Sequence, residues 1–122
     1  MKIKISLFFL SISLITVAQV TTNNTTASGD HSTAIGLYTT ASNYASTAIG
    51  DATLASGFRS TAMGIESIAS GYGSIAIGDN TIASDNSSLV VGRYNLLGST
   101  VTNSATDFST ANTAFVIGNG AN

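Results

Sequence analysis

The sequence predicts an all-β protein, a β-solenoid of fourteen-residue repeats. Three observations carry that prediction. Glycine returns at Gly36, Gly50, Gly64, Gly78 and Gly92. An Ala-Ser pair keeps the same step from Ala27 through Ala41, Ala55, Ala69 and Ala83. A second serine column, Ser32, Ser46, Ser60, Ser74 and Ser88, is unbroken. A helix pair needs about 33 or more residues per repeat, so this period excludes helical repeats. It suits one coil of two short strands and two turns.

The chain starts with a different kind of segment. Lys2 and Lys4 precede the apolar run Ile5 to Val17, followed by Ala18 and Gln19. A positive start, an apolar stretch of secretory length and a small-residue exit read as a signal peptide over residues 1–19. The run is too short and too serine-interrupted for a transmembrane span. The mature chain is therefore expected to be exported, without such a span. Residues 20–26 read as a short N-terminal segment, 27–96 as the repeats, and 97–122 as an irregular loop with a terminal coil.

Within each coil, STAIG, STAIG, STAMG, SIAIG and SLVVG read as the first strand. Alternation of side chains puts every second residue on one face. Ile35, Ile49, Met63, Ile77 and Val91 are expected to fill the interior as the roll core. The second strand adds Leu54, Ile68 and Ile82, with Thr40 and Leu96 at the ends of the column. Ala34, Ala48, Ala62, Ala76 and Val90 then face outward, where small side chains let a second chain approach closely. The repeat glycine suits a tight corner. Ordering each coil costs more backbone entropy than two or three aliphatic side chains return. A homo-oligomer follows, with the alanine column as its interface.

Charges fall beside the turns. Asp51, Glu66, Asp79 and Arg93 follow the repeat glycine, and Asp30, Arg59 and Asp85 follow the Ala-Ser pair near His31. Tyr38, Tyr94, Tyr44, Phe58 and Tyr72 share these variable corner columns. Tyr44, Phe58 and Tyr72 form one ladder with Arg59 beside it. Such residues offer area and hydrogen bonds together, so they are the candidate ligand surface.

Composition excludes other classes. Four Lys and Arg against six Asp and Glu give a net charge of −2, against the basic surface that nucleic-acid binding requires. With no cysteine, disulfides, thiolate metal sites and Cys nucleophiles are ruled out. His31 alone cannot build a His-rich metal cluster, and the serine columns lack an adjacent base. Asp51, Asp79 and Asp85 read as turn residues, because the aspartate-dense calcium-binding nonapeptide is missing. No catalytic, metal or cofactor-binding residue is assigned, and none of these features calls for a cofactor. Asn24-Thr25-Thr26 and Asn86-Ser87-Ser88 match a glycosylation sequon.

The columns resemble the head repeats of YadA-type trimeric autotransporter adhesins, in the pattern SxAIGxxSxAxG. Ser46-Thr47-Ala48-Ile49-Gly50-Asp51-Ala52-Thr53-Leu54-Ala55-Ser56-Gly57 is one copy, and Ser74 to Asp85 another. The resemblance spans about residues 27–96. It implies a left-handed parallel β-roll, a homotrimer, and non-enzymatic adhesion to host extracellular matrix proteins, to other surfaces or to other copies. The stalk heptads and barrel strands usual in that family are missing from this sequence. After Leu97, a Thr/Ser/Asn-rich stretch breaks the period before Phe115-Val116-Ile117-Gly118 repeats the strand motif, as a coil capping the roll. An alternative is an ice- or surface-binding solenoid using the Thr39, Thr53, Ser67 and Thr81 column. The column Thr33, Thr47 and Thr61 lapses to Ile75 and Leu89. An enzyme would need acids clustered on one face, and the corner acids alternate with Ala, Ile and Asn.

Overall fold

The computed structural model describes residues 22–95, 104–107 and 111–120. The expected signal segment and Leu96 lie outside these residues. Long and short strands alternate along the chain. They are β1 (Thr22–Asn23), β2 (Thr26–Ala27), β3 (Thr33–Leu37), β4 (Thr40–Ala41), β5 (Thr47–Asp51) and β6 (Leu54–Ala55), followed by β7 (Thr61–Ile65), β8 (Ile68–Ala69), β9 (Ile75–Asp79), β10 (Ile82–Ala83), β11 (Leu89–Arg93) and β12 (Phe115–Asn119). The first sheet runs β1-β3-β5-β7-β9-β11-β12 and the second β2-β4-β6-β8-β10. All pairs are parallel, as a solenoid requires. Ile35 sits on Ile49, Gly36 on Gly50 and Ala55 on Ala69, so the sequence period is the pairing register. The roll already begins at Thr22, which pairs with Gly36, earlier than the expected start at residue 27.

The interior is an alanine column from each sheet. Ala48, Ala62, Ala76 and Val90 of the first sheet and Ala41, Ala55, Ala69 and Ala83 of the second are fully buried. Ala34 and Val116 pack against this cluster at its two ends. The expected faces are therefore reversed. Ala34, Ala48, Ala62, Ala76 and Val90 cannot be a chain-to-chain interface, because they close the inside of a single roll. Ile35, Ile49, Met63 and Val91 are only half-buried and Ile77 is exposed, as outward residues of the first sheet. Leu54, Ile68 and Ile82 are likewise half-buried, on the outside of the second sheet. The corners hold the sheets so close that methyl groups fill the gap between them.

Those corners have a backbone cause. Left-handed residues recur every seventh position, at Asn24, His31, Tyr38, Ala45, Ala52, Arg59, Glu66, Gly73, Asn80, Ser87 and Tyr94. Each coil thus turns twice, with one left-handed residue per turn. Only one of them is glycine, although an L-residue there costs about 1–2 kcal/mol. From Tyr38 onward, each corner amide is bonded along the roll axis to the previous coil, as in Ala52 N–H to the Leu37 carbonyl (2.8 Å) and Arg59 N–H to the Tyr44 carbonyl (2.9 Å). The buried serines close the turns from inside. Ser60 Oγ donates to the Gly57 carbonyl (2.8 Å) and Ser74 Oγ to the Gly71 carbonyl (2.9 Å).

The repeat glycine does not occupy the corner itself. Gly50 lies inside β5 with φ of 134°, a region open to glycine. A Cβ built there would overlap the carbonyl oxygen of Gly64 in the next coil. The glycine column is therefore where successive backbones approach most closely.

The two sheets end differently. Asn95 continues the Thr39, Thr53, Ser67 and Thr81 column, but its side chain replaces the next strand. Its Oδ1 accepts the Ile82 N–H (2.7 Å) and its Nδ2 donates to the Ile82 carbonyl (3.0 Å), capping β10. The first sheet continues through β12, where Leu89 pairs with Phe115 and Gly92 with Gly118. The chain between β11 and β12 thus lengthens the repeat without disturbing its register.

This geometry separates two neighbouring positions. Gly50→Ala is expected to destabilise the roll by roughly 3 kcal/mol or more, through positive φ and backbone overlap together. Ala52→Gly, at an exposed left-handed corner, is expected to be neutral or stabilising by up to about 1 kcal/mol. Thermal denaturation of the two variants checks the contrast.

Candidate functional site

The corner between the second strand of one coil and the first strand of the next stacks side chains at the sheet spacing, about 4.8 Å. Tyr44 and Phe58 have ring centroids 5.0 Å apart at 16°, and Phe58 and Tyr72 5.1 Å apart at 11°. His31 meets Tyr44 edge-on at 5.5 Å and extends the ladder by one coil. The structure therefore brings Tyr44, Phe58 and Tyr72 together as the repeat predicts. Arg59 lies beside them, its guanidinium carbon 5.3 Å from the Phe58 centroid. Both faces of Phe58 are covered by the neighbouring rings, so Arg59 sits at the ring's rim. The ladder offers edges and rims to solvent; Tyr44 and Tyr72 are 38% and 39% exposed.

The segment after β11 returns to this corner, which the sequence did not reveal. Tyr72 N–H donates to the Ala105 carbonyl (2.7 Å) and Asn86 N–H to the Ser104 carbonyl (3.1 Å). Asn86 Nδ2 donates to the Thr106 carbonyl (2.6 Å). The Asp85 carboxylate, fully buried, accepts the Thr113 N–H (2.8 Å). Ser104 Oγ accepts the Asp107 N–H (2.8 Å), tightening the turn. Asn86 takes the place an aromatic holds in the three coils before it, and Asp85 that of Gly57 and Gly71. Those two breaks in column chemistry were the available signal. Asn86 is nearly buried with its amide engaged, which removes it as an accessible sequon.

The opposite corner carries the ionic residues. Arg93 Nε contacts Asp79 Oδ2 at 2.9 Å, and the guanidinium lies 5.2 Å from the Tyr94 ring centroid. With the Arg93 side chain 64% exposed, such a pair contributes little to stability. Asp51 and Glu66 are exposed on the same edge.

The threonine column cited for ice binding is enclosed. Thr39, Thr53, Ser67 and Thr81 are at most 1% exposed. Thr81 Oγ1 donates to Ser67 Oγ (2.8 Å), which donates to the Gly78 carbonyl (3.0 Å). An internal hydroxyl ladder cannot order water at a surface, which overturns that basis for the alternative. Among the described residues, no group of three His, Cys, Asp or Glu is placed to hold a metal ion, and no helix is long and apolar enough to cross a membrane.

Comparison with protein families matches the YadA head domain repeat, a model of two copies, at residues 23–39, 27–53, 55–81 and 69–95. Comparison with curated proteins gives no match.

Ring stacking adds about 0.5–1.5 kcal/mol per pair beyond area burial. Phe58→Ala breaks two stacked pairs and Tyr72→Ala one. The stacking loss for Phe58→Ala is therefore expected to be about twice that for Tyr72→Ala, as read from denaturant midpoints.

Proposed function

We propose that this chain, which belongs to the YadA head family, is the adhesive head of an exported, surface-exposed homotrimer. The family supplies the adhesin-type role. The observation that carries the assembly is the apolar outside of both sheets: the Ile35, Ile49, Met63, Ile77 and Val91 column on the first, and Leu54, Ile68 and Ile82 on the second.

A two-fold dimer needs one self-complementary patch, whereas a closed ring needs two different patches on each copy. Two separate apolar faces fit the ring. Any partner must also match the roll's rung spacing, and a second copy in register does so at every coil. The charged corner residues then stay at the periphery of the assembly, where like charges of neighbouring copies keep apart.

The Tyr44, Phe58 and Tyr72 ladder with Arg59 remains on an outer corner as the adhesive surface, and extracellular matrix proteins are the ligand class it is tested against. The reading is non-enzymatic: binding area, hydrogen bonding and one cation are what the ladder supplies.

Beads coated with the mature chain, flowed over immobilised matrix proteins, test adhesion. Joint replacement of Tyr44, Phe58 and Tyr72 by alanine is expected to weaken retention more than about tenfold. Tyr38→Ala, on the other corner, is expected to leave it unchanged. Equal retention of the triple variant and the parent would remove the ladder from the function. Equilibrium sedimentation of the parent is expected to give three copies per particle.

A further inference from the structure

The outward faces are graded along the roll. On the first sheet, the column beside the isoleucines reads Thr33, Thr47 and Thr61 in the early coils, then Ile75, Leu89 and Phe115. The second sheet changes in the same direction but two coils earlier, from Thr26 and Thr40 to Leu54, Ile68 and Ile82, so only the late coils are aliphatic on both faces. Both faces therefore pass from hydroxyl to aliphatic in the same direction. Exposure alone does not follow this grade: Ile77 is 37% exposed, Phe115 57% and Ile117 69%, but Leu37 and Ile65, at the corner ends of the early strands, are 37% and 51% exposed.

We propose that association between copies has a polarity, held by the coils from β9 to β12 and only weakly supported by those from β3 to β7. This rests on the reading that copies of the chain associate through their sheet exteriors. The occupant is a second copy because its late coils carry the same apolar pair of columns at the same rung spacing. Apolar contact stabilises in proportion to area removed from water, so two aliphatic columns side by side exclude water where one column beside threonine does not. In the early coils, each Thr hydroxyl brought into the contact needs a partner or costs free energy. The early coils are consequently the end at which neighbouring copies separate first.

The test uses one substitution at two heights of one column. Ile35→Thr and Ile77→Thr remove the same aliphatic groups from equivalent outward positions. Sedimentation equilibrium of the full mature chain is expected to show association weakened more than about 30-fold for Ile77→Thr and less than about threefold for Ile35→Thr. Thr47→Ile combined with Thr61→Ile, which extends the apolar strip upward, is expected to tighten association at least about tenfold. Equal weakening by the two threonine variants, or a larger effect of Ile35→Thr, overturns the polarity. Failure of the double isoleucine variant to tighten overturns it too, and that variant decides alone if circular dichroism shows Ile77→Thr unfolded. A parent chain that is monomeric at every concentration overturns instead the reading that copies associate.

Discussion

Close axial contact between successive backbones is the constraint on which the rest of this structure depends. Every fourteen residues the chain returns to the same column, and Gly36, Gly50, Gly64 and Gly78 stack so closely that no Cβ fits between them. Hydrogen bonds along the axis hold strands and corners alike, since even the left-handed corner amides bond to the coil before. The strain at those corners is thereby offset locally. Residues as unlike as Tyr38, Ala52 and Glu66 can occupy equivalent turns, because the axial bond, not the side chain, fixes the geometry.

Narrow corners then set the interior. With both sheets drawn together, the enclosed positions accept alanine, serine and threonine; the serine hydroxyls of the turns find carbonyls nearby, whereas Thr39 Oγ1 and Thr53 Oγ1 are buried without a partner. Large side chains are left outside. That sorting explains a chain with few charges and few large apolar residues whose apolar residues still face outward. It also gives the exterior two kinds of surface: aliphatic sheet faces, and a corner lined by Tyr44, Phe58 and Tyr72.

The repeat, its strands and their register were legible in the sequence because identical residues stack on identical residues. The aromatic ladder was legible for the same reason. The inside and outside of the first strand were not. Alternation separates Ala48 from Ile49 without saying which faces inward, and size suggests the isoleucine. The distance between the sheets decides otherwise, and it comes from left-handed corners that carry no glycine signature. Asn95 was equally hidden: an asparagine in a hydroxyl column reads as one more turn residue until its amide is seen bridging both backbone groups of Ile82. The return of residues 104–107 to the ladder was marked only by Asp85 and Asn86, which break their columns without saying which backbone groups they meet.

The central claim is that the roll's interior has room only for a methyl group at one position, while the next side chain lies outside the roll. Placing leucine at each of the two neighbouring positions of β7 tests it most directly, with thermal melting followed by circular dichroism. Ala62→Leu is expected to abolish cooperative folding or lower the midpoint steeply, since the added carbons have nowhere to go. Met63→Leu is expected to melt like the parent. An Ala62→Leu chain as stable as the parent, with Met63→Leu the damaged one, would contradict the account.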